Sequence, residues 1–157
     1  MEEEKRAENS TEKPVIMYFV DFSVLYTNAS RMLAKIRDVL HVFEENRDHV
    51  TVLWHQDPVM MKNLPVMKPE IWNSYQELMK GFEEAGYGIL DDTSAEDEEY
   101  FARIRENYPG PAPTPGESRA IERCAAFYGD GGYLANCFRN AGKPVMLQSP
   151  DILQYEN

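Results

Sequence analysis

Apolar residues fall along this chain in two alternating rhythms. Five short runs are largely apolar on both parities: Val15 to Val20, Val50 to Trp54, Tyr87 to Leu90, Ala126 to Tyr128, and Pro144 to Gln148. That pattern predicts strands covered on both faces. Between the runs, apolar positions recur at three- and four-residue spacing. Met32, Leu33, Ile36, Val39, Leu40 and Phe43 mark a helix over residues 30–47, with Asn28 or Ser30 as its cap. Pro58 is expected to stop the second strand and open a loop. A helix starting at Lys68-Pro69-Glu70 then buries Ile71, Trp72, Tyr75, Leu78, Met79 and Phe82 and closes at Gly86. Residues 117–125 fit a shorter helix, and a last one carries Leu134, Ala135, Cys137 and Phe138 up to Gly142. Strand and helix alternate five times, which argues for a parallel sheet with helices on both faces. Right-handed crossovers reduce this to an α/β, doubly wound, Rossmann-like domain of about five strands in the order 3-2-1-4-5.

The 157 residues suit one domain. Residues 1–13, with five Glu and three basic residues, read as a charged, disordered leader before a domain spanning 14–157. Within that domain, residues 94–116 form an acidic and Pro-rich excursion, since four of the ten prolines fall between Pro109 and Gly116. Asp and Glu number 27 against 16 Lys and Arg, a formal charge of −11. Such a balance repels a phosphate backbone at long range, so no nucleic-acid partner is expected. No transmembrane segment or signal peptide is readable, and the chain reads as cytoplasmic.

Ligands of open parallel sheets bind beyond the carboxyl ends of the strands. Those ends are Asp21-Phe22-Ser23, His55-Gln56-Asp57, Asp91-Asp92-Thr93, Gly129-Asp130-Gly131-Gly132 and Gln148-Ser149. Gly129 to Gly132 runs into a helix, leaving backbone N–H groups uncovered where the helix dipole favours an anion. A tight turn with Asp130 as its cap explains the same residues. His55 is the one histidine of three at a strand's carboxyl end; no HxH or HExxH exists, and no metal site is expected. Ser23 lies outside any GxSxG frame, and Cys124 and Cys137 sit on apolar helix faces.

The segment Cys124-Ala125-Ala126-Phe127-Tyr128-Gly129-Asp130, with Ala141-Gly142-Lys143-Pro144-Val145-Met146 after the intervening helix, resembles a block of the CDP-glycerol:glycerophosphotransferases and related GT-B glycosyltransferases. The strand and helix from Val15 to Leu40, the Val52–Pro58 strand end and Gly86–Thr93 extend the resemblance over residues 14–149. It implies the nucleotide-binding half of a cell-wall-polymer transferase, wrapping a donor diphosphate. The implied ligand is a nucleotide diphosphate such as CDP-glycerol or a nucleotide sugar; no other cofactor is implied. The implied binding residues are Gly129, Asp130, Gly131 and Gly132, with Ser23, His55, Asp57, Asp91, Asp92 and Thr93 on neighbouring strand ends. Asp57 stands where that family carries a cation, and Gly131-Gly132 where it carries paired serines. A GT-B site lies between two halves, so activity would need a partner protein supplying the other. The alternative is a non-catalytic interaction domain that kept the fold and lost the site.

Overall fold

A computed structural model describes residues 13–93, 96–97, 99–100 and 113–148. The expected leader and the centre of the Pro-rich excursion lie outside them. Five strands form one sheet: β1 Val15–Phe19, β2 Thr51–His55, β3 Gly88–Asp91, β4 Ala126–Gly129 and β5 Val145–Leu147. Every pairing is parallel and the order is β3-β2-β1-β4-β5. The chain is therefore an α/β, doubly wound, Rossmann-like domain, as the alternation of apolar runs implies.

Alternation along the central strands divides the core. Tyr18 and Trp54 face one layer, with Leu25, Met32, Ile36, Leu64, Tyr75 and Phe82 packed over them. Met17, Phe19, Leu53 and Phe127 face the other, under Ala120, Ile121, Leu134 and Phe138. The first layer comprises α1 Phe22–Asn28, α2 Ser30–Glu45, α3 Pro58–Met67 and α4 Pro69–Ala85; the second comprises α5 Pro115–Arg123 and α6 Tyr133–Asn140.

Two of these helices depart from the sequence reading. α1 occupies what reads as the lead-in to α2, and α3 occupies the expected loop after Pro58. Pro58 stops β2 and at once starts α3, because proline at the first helical position loses no intrahelical bond. The cap of α2 is neither Asn28 nor Ser30. Ala29 sits between the two helices at φ 48° with no capping side chain, while Asn28 Nδ2 turns back to Val24 O at 2.8 Å. Gly86 does close α4, in the left-handed conformation at φ 72°.

Candidate functional site

The turn leaving β1 is clasped from both sides by neighbouring strands. The Asp21 amide donates to Asp130 Oδ2 at 2.9 Å, from the end of β4. The next amide, Phe22, donates to Asp57 Oδ2 at 2.8 Å, from the end of β2. Asp57 then uses Oδ1 to accept the Val59 amide at 2.9 Å and cap α3. Asp21 caps α1 by accepting from the Ser23 amide and hydroxyl. Three aspartates that follow apolar strands thus organise the carboxyl edge: Asp21 and Asp57 cap the helices that follow them, and Asp57 and Asp130 accept amides of the β1 turn.

Above this edge lies a cavity of about 290 Å³. Its acidic lining is Asp21, Asp57, Glu117 and Asp130; its walls include Phe22, Val59 and Tyr133, and among the described residues no Lys, Arg or His lines it. Glu117 arrives from α5, where it forms a capping box with Thr114: the Thr114 amide donates to Glu117 Oε1 at 2.8 Å and the Glu117 amide to Thr114 Oγ1 at 3.1 Å. The Tyr133 hydroxyl, on α6, donates to Glu117 Oε2. Burial pushes the Asp57 carboxyl up, opposed by the Phe22 and Val59 amides and reinforced by the charge of Asp21.

The sequence-predicted residues divide here. Ser23, Asp57, Asp130, Gly131 and Gly132 line the cavity. Gly129 belongs to β4, where a Cβ would stand 2.2 Å from Phe19 O, so close strand approach accounts for it. The cap of α6 is Gly132 rather than Asp130, whose carboxylate is turned to Asp21.

His55, Asp91 and Thr93 form a separate, buried arrangement under α5. His55 has no exposed surface, and its Nδ1 lies 2.6 Å from Asp91 Oδ2. Arg119 approaches Asp91 Oδ1 at 3.7 Å and Glu96 Oε2 at 3.3 Å. Burial works to raise the Asp91 carboxyl, but the hydrogen bond and charge of His55, with Arg119 and Arg123, outweigh it and hold it below its ordinary value. Thr93 donates to Asp97 Oδ2, and Asp97 Oδ1 accepts the Gly116 amide at 3.2 Å. Asp92 is exposed.

Strand-end reasoning names Asp21 as an edge residue without making it a ligand, and it does not reach Glu117, Thr114 or Tyr133. The last three sit at helix starts on the far side of the Pro-rich excursion, where only the capping signal Thr114–Glu117 is local. Among the described residues no three His, Cys, Asp or Glu side chains converge closely enough to hold a metal ion by themselves. No helix among them is long and apolar enough to cross a membrane. No family model matches the chain, and no curated protein is significantly similar to it.

Proposed function

We propose that the carboxyl-edge cavity binds a phosphate-bearing ligand through a divalent cation and supports cleavage of a phosphate ester there. One observation carries this reading: among the described residues, four carboxylates and no cationic side chain line the same cavity. Among the described side chains, a bare diphosphate entering it would meet like charge, whatever the α6 amides offer. A divalent cation reverses the sign of that encounter. Mg²⁺ in particular is commonly held by one or two carboxylates plus water and substrate phosphate. Such a mode needs no three-ligand protein cage.

Asp21 and Asp130 suit the cation best, because they are adjacent through the Asp21 amide and Asp130 sits at the end of a central strand. Asp57 is committed on both oxygens to backbone amides and serves as the clasp of the edge. Glu117, held by Thr114 and Tyr133, closes the far side. A bound cation would polarise the phosphoryl oxygen and acidify a coordinated water. The ligand class keeps to what the resemblance implies, nucleotide diphosphates, and widens to other nucleotide phosphodiesters; the cation replaces the missing basic residue at Asp57.

The interaction-domain reading is favoured by a different observation, that all four carboxylates accept hydrogen bonds from within the protein. Calorimetry with Mn²⁺, alone and with CDP or UDP, separates the two, alongside hydrolysis of bis(p-nitrophenyl) phosphate. The expected result is Mn²⁺-dependent nucleotide binding and EDTA-sensitive hydrolysis, both lost in Asp21→Asn. An absence of heat with Mn²⁺ under every condition would leave the interaction domain as the better account.

A further inference from the structure

Strand register aligns Leu90, Trp54, Tyr18, Tyr128 and Met146 in one row across the sheet. The row faces the first helical layer, where Trp54 and Tyr18 are fully buried and Leu90 and Tyr128 pack against the same cluster. Met146 ends the row on the edge strand β5 and is 68 % exposed. Its neighbours Val145 and Leu147 point the other way and pack against the second-layer cluster. Among the described residues, β5 is therefore covered on one face and open on the other. The open side forms a groove of about 320 Å³ in which Tyr128 and Met146 meet Val39, Val42 and Phe43 from the flank of α2, with Lys35 and Asp38 also in its lining. Val42 is 56 % exposed there. The groove shares no lining residue with the carboxyl-edge cavity. Apolar surface gathered in this way is stabilised by an apolar cover.

We propose that the occupant of this groove is the chain's own segment 149–157. The point from which that segment departs is fixed, because the Gln148 amide donates to Gly129 O at 2.9 Å and the residue is buried. Met146 lies two residues before that point, so the segment has only to reverse direction to reach the groove. Ser149 and Pro150 suit the reversal, serine as a helix cap and proline in the first turn. Ile152, Leu153 and Tyr155 then supply apolar side chains, with Ile152 and Tyr155 three apart on one helical face. Residues 151–157 rise about 10 Å as a helix, and the three residues of β5 span about 10 Å. The segment thus matches in length the strand whose open face it covers.

Oxidation of methionine by dilute hydrogen peroxide, followed residue by residue by mass spectrometry, reads the cover directly. Met67, 51 % exposed on α3, is the open control, and Met17 and Met32, with no exposed surface, report that the fold is intact. In the full chain Met146 is expected to oxidise more slowly than Met67, equally at high and low protein concentration. In Ile152→Asp/Leu153→Asp that protection should be lost, with Met17 and Met32 still protected. Oxidation of Met146 as fast as Met67 in the full chain overturns the proposal. So does protection that survives the double substitution. Protection that fades on dilution assigns the groove to a second copy of the chain and overturns it as well. If Met17 and Met32 oxidise in the double variant, its fold is lost, and the milder Ile152→Ser/Leu153→Ser is read by the same criteria.

Discussion

Gly129 and Gly131 lie two residues apart and answer to different constraints. A Cβ on Gly129 would press into the backbone of β1, 2.2 Å from Phe19 O, at φ 158°. A Cβ on Gly131 would meet the Leu147 methyls at 3.6 Å and 3.7 Å, ordinary contact distances. Gly129→Ala is therefore expected to cost about 3 kcal/mol or more, and Gly131→Ala less than about 1 kcal/mol; urea unfolding of the two variants checks this. Asp57 and Asp91 make a second contrasting pair, with carboxyls shifted in opposite directions. Asp57 is raised, so its contribution to stability is full below the unfolded value near about 4 and lost as pH climbs through the folded value. Asp91 is lowered, so its contribution is present above about 4 and lost as pH falls through the folded value. Asp57→Asn leaves one of the Phe22 and Val59 amides without an acceptor. It should cost about 1–3 kcal/mol, a deficit that narrows as pH rises from 3 to 7. His55→Gln should instead flatten the acid limb of the stability curve. Denaturant titrations at several pH values read both slopes, and parallel curves for wild type and either variant would contradict the assignment.

At the scale of elements, α5 is a nine-residue helix fastened at both ends. Its start carries the Thr114–Glu117 capping box. Its end is met by Lys143, whose ammonium donates to the carbonyls of Ile121 at 2.6 Å, Glu122 at 3.2 Å and Cys124 at 2.7 Å. Thr114→Ala should cost about 1 kcal/mol and Lys143→Met about 1–3 kcal/mol, because carbonyls are left unpaired. The two sites are roughly 13 Å apart along the helix axis, so the double variant should show the sum within about 0.5 kcal/mol; a larger discrepancy in thermal or urea unfolding would mean the helix melts as one unit. Elements with a long apolar stripe, such as α2 and α4, are readable in the sequence because their period holds over several turns. α1 and α3 escape that reading. α1 is only seven residues long, and at α3 Pro58 signals a break and a start with the same residue.

For the whole molecule, the five apolar runs encode the sheet; right-handed crossovers limit it to doubly wound arrangements, of which the observed order β3-β2-β1-β4-β5 is one. The candidate site is only half encoded. The aspartates after β1, β2 and β4 are visible as strand ends, whereas Glu117 is visible only as a helix cap and Tyr133 only as a helix start, and packing alone brings them to the cavity. His55 illustrates the opposite failure: it stands at a strand end but faces the layer under α5, because the side of the sheet a terminal residue faces depends on the pleat. The net charge of −11 adds a molecular-scale test of the cavity. Monovalent salt screens self-repulsion without regard to site. Mn²⁺ at 100 times its dissociation constant should add about 2.7 kcal/mol of stability beyond NaCl of equal ionic strength, and Asp21→Asn should abolish that excess. Equal stabilisation by both salts in wild type would show that the carboxylates act only as diffuse charge.

The central place of β1 also bears on how the chain assembles. One side of β1 pairs with β2 and the other with β4, which lies more than a hundred residues further along. During synthesis, the N-terminal part can bury its first layer under α1 to α4 while the β4 side of β1 remains an open edge with unpaired backbone groups. Closing it late means crossing a high loop-closure barrier, and parallel pairing over such a distance is slow. A ribosome pause between β3 and β4 should therefore be the most hazardous moment for this protein, with the open side of its own middle strand available to pair with a second nascent chain.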